Sequence, residues 1–158
     1  MPVRQAQAIL ARYWNRQIPV DPSALAISMG ADVFADPDMI WSDLSGRFDY
    51  ENGRPTIRFN PDDAWVRQRF TIAHELGHMV LNHGRSMRDN SANYSTHADH
   101  YKEQEANAFA AELLMPKEVV DWIIPRYNRD VGAMSRELGV SEAAMRYRLI
   151  NLGYLSDY

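Results

Sequence analysis

His74, Glu75 and His78 spell H-E-x-x-H within the stretch RQRFTIAHELGHMVLNH, residues 67–83. On an α-helix, histidines four residues apart lie about 40° apart around the axis, so both imidazoles can reach one ion. A catalytic Zn²⁺ takes three protein ligands and keeps a fourth position for water, and this pair supplies two of the three. Glu75 lies one residue, about 100°, round from His74; it is better placed to reach that water than the ion, which is the general-base position. The competing reading is a pair of hydrogen-bonded core histidines with Glu75 as a surface charge. Phe70, Ile72, Ala73, Leu76, Met79, Val80 and Leu81 weigh against it. They make the helix apolar around much of its circumference, where two histidines and a glutamate are costly unless paired or ligated.

A third ligand must come from elsewhere. The extended metzincin pattern would need Gly at position 81 and His at 84, and the chain has Leu81 and Gly84. Residues 101–115, YKEQEANAFAAELLM, have helical composition and stop at Pro116. Glu103, Ala106, Asn107, Ala110, Leu113 and Leu114 share one face, which points Glu103 and Asn107 inward and makes Glu103 the preferred third ligand. Glu105, about 200° round, goes to the more exposed side with Glu112. Asn107, one turn beyond Glu103, is placed to hydrogen-bond a histidine ring nitrogen and fix its tautomer. His97 and His100 are rival donors. Either of them, or Tyr94 or Tyr101, is also a candidate to steady a developing oxyanion, and the sequence leaves these four open. His83, five residues past His78, reads as a charge on the helix C-terminus, not as a ligand.

The elements that must hold these residues form an α+β chain. An amphipathic helix is expected over residues 3–17, then a break at Ile18-Pro19-Val20. A short helix follows, with Asp21 as N-cap and Pro22 at its first position, closed by Gly30. Asp32–Ala35 fits a short strand. Residues 44–60, LSGRFDYENGRPTIRFN, predict a β-hairpin turning at Asn52-Gly53. Should its second strand lie at the sheet edge, it offers an extended peptide a place to add. Asn60-Pro61-Asp62-Asp63 is expected to cap and open the histidine helix. Residues 85–99 are polar and aperiodic, a loop beside the site. After a short helix over 117–124, residues 131–152 carry a helix-turn-helix rhythm. Ala133, Leu138, Val140, Ala144, Tyr147 and Leu149 are the expected small core, with Arg146 and Arg148 outside.

With 158 residues, the chain fits one domain, 1–158, with an N-terminal part (1–60), metal-binding helices (61–116) and a C-terminal helical part (117–158). It has no cysteine, which excludes thiol chemistry and Cys-type zinc sites and suits a reducing cytoplasm. With no leader-like start and no apolar run of membrane length, a soluble, unexported protein is expected. A net charge of −4 gives no global attraction to nucleic acid, so direct DNA binding by the C-terminal pair is disfavoured relative to packing or substrate docking.

RQRFTIAHELGHMVLNH followed by EQEANAFAAELLMP resembles the ImmA/IrrE family of metallopeptidases. The likeness extends to LSGRF, IRFNP and SEAAMRYRLINLGYL on the flanks. The resemblance implies a zincin-like core in which a small antiparallel sheet packs on the two metal helices. It implies zinc on His74, His78 and Glu103, water activation by Glu75 and a supporting role for Asn107. It further implies cleavage of a phage-type helix-turn-helix repressor encoded nearby, releasing genes of a mobile element or a stress response. The alternatives are a DNA- or protein-binding regulator with a structural or vestigial zinc site, and a toxin-like partner in a two-gene module.

Overall fold

A computed structural model describes residues 1–83, 86–89 and 97–156. Helices α1 (Pro2–Tyr13) and α2 (Pro22–Ser28) precede strand β1 (Asp32–Ala35), a 3₁₀ turn (Pro37–Trp41) and the hairpin β2 (Leu44–Glu51) and β3 (Arg54–Phe59). Then come α3 (Trp65–Val80), β4 (Ser86–Asp89), α4 (His97–Leu114), α5 (Lys117–Arg126), α6 (Val131–Leu138) and α7 (Glu142–Asn151). The architecture is a mixed α+β one.

The sheet runs β1-β3-β2-β4. Its hairpin turns as expected at Asn52 and Gly53, both with positive φ (53° and 78°). Phe48 pairs with Ile57 across it, and both are buried in the core. Two expectations need correction. The sheet is not wholly antiparallel, because β1 joins β3 in parallel, and Asp32 clamps this pair through Arg54 (2.8 and 3.1 Å). Nor is β3 an edge strand: β1 covers one side of it and β2 the other, so the outer strands are β1 and β4 among the described residues.

Local sequence chemistry explains most boundaries. The Asp21 carboxylate accepts from the backbone N–H groups of Ser23 and Ala24 and starts α2. α1 ends earlier than expected, at Tyr13, and the Trp14 indole donates to the Gln17 carbonyl beyond it. Asn60 does not cap α3. Its amide donates to the Met39 and Leu44 carbonyls and its oxygen accepts from Asp62 N–H, so it braces the 3₁₀ turn against β2. The helix then starts at Trp65, after a turn held by the Gln68 amide on the carbonyls of Pro61 and Asp63. α5 continues through Pro125 into its last turn instead of stopping before it.

α3 is the central element, with every residue from Thr71 to His78 buried. α4 crosses it at Gly77, where an added Cβ would lie 3.0 Å from the Phe109 ring and 3.3 Å from Ala106 Cα; only a hydrogen fits. On its other side β2 passes just as close. A Cβ on Gly46 would lie 2.3 Å from the Thr71 methyl and 3.6 Å from Glu75 Cγ. These two glycines press the helix between sheet and α4, burying Ile72, Ala73 and Leu76 with Phe109, Ala110 and Leu113.

The C-terminal pair packs on this core through buried cations. Arg69 of α3 donates to the Gly139 and Leu138 carbonyls, satisfying the open end of α6. Arg148 of α7 is also buried. It donates to the Met115 carbonyl (2.9 Å) and is ion-paired with Glu112. Arg148 is therefore not on the outer face, because α7 lies against the C-terminal end of α4, where Glu112 draws it in; Arg146 is exposed. The small core of the pair also differs from expectation. Tyr147 is exposed, whereas Met134 and Met145 are fully buried with Leu138, Val140 and Leu149. No helix among the described residues is long and apolar enough to cross a membrane.

Candidate metal centre

Adjacent turns of α3 bring the His74 and His78 rings together edge to face (80° between planes), with their Nε2 atoms 3.1 Å apart and both side chains buried. α4 delivers Glu103 onto them. One carboxylate oxygen lies 2.9 Å from His74 Nε2 and the other 2.8 Å from His78 Nε2. Burial works against the charged carboxylate, but hydrogen bonds from the two imidazoles and their positive potential hold its pKa well below the usual glutamate range.

The donor set fits a divalent metal ion. The Asn107 amide oxygen lies 2.8 Å from His74 Nδ1, although Asn107 itself is exposed and not turned inward as expected. With the ring proton on Nδ1 and donated to Asn107, His74 Nε2 would be bare and able to ligate an ion. Three donor atoms of the kind Zn²⁺ accepts, two imidazole nitrogens and a carboxylate oxygen, thus converge within 4.8 Å of one another. Among the described residues these three are the group so arranged. Glu75 follows His74 on α3 and is fully buried, its stem packed beneath Gly46 of β2.

The other candidates fall outside this group. His100 and Tyr101 are exposed on the first turns of α4. Tyr94 lies outside the described residues, and so does the side chain of His97. Two glutamates are less exposed than their helical positions suggest. Glu112 is buried with Arg148, and Glu105 is half-buried against His83.

His83 is the residue that spacing alone misplaces. After Leu81 the helix ends with Asn82 in the left-handed region (φ 61°); Asn82 N–H reaches the Met79 carbonyl and His83 N–H the His78 carbonyl. This 6→1 and 5→2 pair is a Schellman turn. It folds the chain back so that the two Nδ1 atoms of His83 and His78 lie 3.0 Å apart, while His83 Nε2 lies 3.0 Å from Glu105 Oε1. Burial pushes the His83 pKa below the ordinary histidine value, against the opposing pull of Glu105. An Asn just past the last apolar residue was the available signal for this turn.

The family profile described as the IrrE N-terminal-like domain matches residues 28–150. The chain belongs to this family. The IrrE-like match takes in the whole sheet, both helices of the metal group and most of the C-terminal pair. The chain is 33% identical over 111 residues to the radiation response metalloprotease IrrE of Deinococcus deserti, covering 63% of this chain and 37% of that protein. It is 27% identical over 126 residues to an uncharacterized immunity region protein of Bacillus phage phi105, covering 80% of this chain and 75% of that one. In fold it resembles a Mycobacterium tuberculosis transcriptional regulator, with a TM-score of 0.68 at 19% identity, over 94% of this chain and 46% of the regulator. The chain thus spans just over a third of IrrE and a little under half of the regulator.

Proposed function

We propose that this chain is a zinc-dependent endopeptidase whose substrate is a helix-turn-helix repressor encoded near its gene. The observation that carries the reading is the buried meeting of His74, His78 and Glu103 donor atoms on two helices, with Glu75 next in sequence to His74. Membership of a family that includes a named metalloprotease supports peptide hydrolysis, and similarity to a phage immunity-region protein supports a repressor as target.

Zinc held by His74, His78 and Glu103 would supply Lewis acidity toward the scissile carbonyl and toward a water. Glu75 takes the proton from that water as it attacks and passes it to the departing nitrogen. Asn107 holds the His74 ring so that its Nε2 lone pair stays directed at the ion. Among the described residues β4, two strands from β3 and paired to β2 at Gly46↔Arg88, is an outer strand, and its outer side offers an extended peptide a strand to add to.

Incubating the zinc-loaded protein with the neighbouring repressor, followed by intact-mass analysis, is expected to show one cut bond. Glu75→Gln should keep zinc and lose cleavage by about 10²–10⁴-fold, the usual share of a general base. Undiminished cleavage by that variant removes Glu75 from the mechanism.

A further inference from the structure

The reading of His74, His78 and Glu103 as metal ligands leaves an adjacent polar pair, His83 and Glu105, without a role. Neither belongs to the group of converging donors. We propose that His83 and Glu105 are positioning residues for the metal centre, Glu105 fixing the tautomer of His83 and His83 holding His78 with its Nε2 lone pair aimed at the ion. This rests on the metal-centre reading above.

Counting protons carries the inference. A neutral imidazole has one N–H, and a ring nitrogen that ligates a metal must be bare. If His78 ligates through Nε2, its proton sits on Nδ1, which faces His83 Nδ1 at 3.0 Å. Two facing ring nitrogens make a hydrogen bond only when one of them lacks a proton, so His83 Nδ1 is the acceptor. The His83 proton must then be on Nε2, and the Glu105 carboxylate stands 3.0 Å away to accept it. Each contact in the line Glu105, His83, His78 therefore has one donor and one acceptor. The opposite His83 tautomer would set N–H against N–H at His78, or drive the His78 proton onto Nε2, where the metal must bind.

The backbone is built to keep this line in place. The Schellman turn at Asn82 returns His83 beneath the last turn of α3, and its N–H is bonded to the His78 carbonyl (3.0 Å), so one residue grips another through main chain and side chain together. The His83 side chain is 8% exposed and that of Glu105 is 21% exposed, which shields both hydrogen bonds from competing water. Glu103, Glu105 and Asn107 fall within five residues of α4. One short stretch of that helix thus supplies the third ligand and the outermost support of each histidine.

The test is Zn²⁺ affinity, measured by competition with a chromophoric chelator, with the thermal unfolding of each zinc-free variant as the folding control. His83→Phe fills the same space without an acceptor and is expected to weaken zinc binding by about 10–100-fold. His83→Gln, whose carbonyl oxygen can accept from His78, should recover most of that loss, and Glu105→Gln should weaken binding by less than His83→Phe. In the zinc-loaded wild type, ¹⁵N NMR should find the ring protons on Nδ1 of His78 and Nε2 of His83. A folded His83→Phe protein with wild-type affinity, or ring protons on the other nitrogens, overturns the proposal. If His83→Phe does not fold, unchanged affinity in Glu105→Gln overturns it instead. Failure of the metal-centre reading looks different: the wild type then binds no zinc, or binds it equally well after His74→Ala.

Discussion

Two buried polar clusters hang from opposite sides of α4, with Glu103 at one and Glu112, nine positions along and about half a turn round, at the other. Around Glu112 every contact pairs a donor with an acceptor: Arg148 meets the carboxylate and the Met115 carbonyl, and the Gln7 amide adds a further hydrogen bond. Around Glu103, two imidazole nitrogens and two carboxylate oxygens converge on a single point. The first cluster is complete within the chain. The second is a set of electron-pair donors that a cation would complete. Burial of charge alone therefore does not mark a functional site in this fold; the sign of what converges does.

The sharpest way to break this comparison is to remove the carboxylate that gathers the second cluster. Glu103→Ala is expected to bind no Zn²⁺ at concentrations that saturate the wild type, and to lose all peptidase activity. Zinc at 100 times its dissociation constant should stabilise the wild type by about 2.7 kcal/mol. Chelation should abolish that gain and leave the Glu103→Ala unfolding curve where it was. Equal zinc stabilisation of both proteins, read by differential scanning calorimetry, would mean that the ion sits elsewhere.

The same operation on the first cluster should have the opposite signature. Arg148→Met leaves Glu112 buried without its cation and is expected to cost about 3–5 kcal/mol of folding stability, measured by urea denaturation, while zinc stoichiometry stays at the wild-type value. Replacing both partners, Glu112→Leu with Arg148→Met, should recover most of the loss, because no charge is then stranded. A double variant as unstable as the single one would show that Arg148 acts through the Met115 carbonyl and not through the ion pair.

How far these clusters can be read from the sequence follows from where their partners come from. His74, His78, Glu103 and Asn107 are related by helical spacing within two segments, and periodicity places the first three inward; Asn107, expected inward as well, is exposed yet still reaches the His74 ring. The hairpin was equally legible, because Asn52-Gly53 demands a tight turn. His83 and Arg148 were misplaced for a shared reason: each is drawn inward by a group on another element, Glu105 and Glu112, and spacing along one helix carries no information about that. The parallel pairing of β1 with β3 is hidden likewise, since a four-residue strand does not record its neighbour. Gly46 and Gly77 were silent in the sequence because their role is the distance between elements, which appears only once sheet and helices are packed.

The smallest expected effect sharpens the contrast within α7 itself, where Arg146 and Arg148 are two residues, about 200°, apart. Arg148 is buried and Arg146 is exposed, so only the latter is free to meet an outside partner. Arg146→Ala should change stability by no more than about 0.5 kcal/mol, as surface substitutions usually do, and leave zinc affinity untouched. If α7 read DNA, one arginine in solvent would have to carry contacts that such helices spread over several phosphates and base edges, and binding would fall steeply with salt. Salt-dependent DNA binding by the wild type that Arg146→Ala abolishes would reverse the assignment of this pair to packing. Without it, α6 and α7 are a lid on the core, fastened from beneath by Arg69 and Arg148.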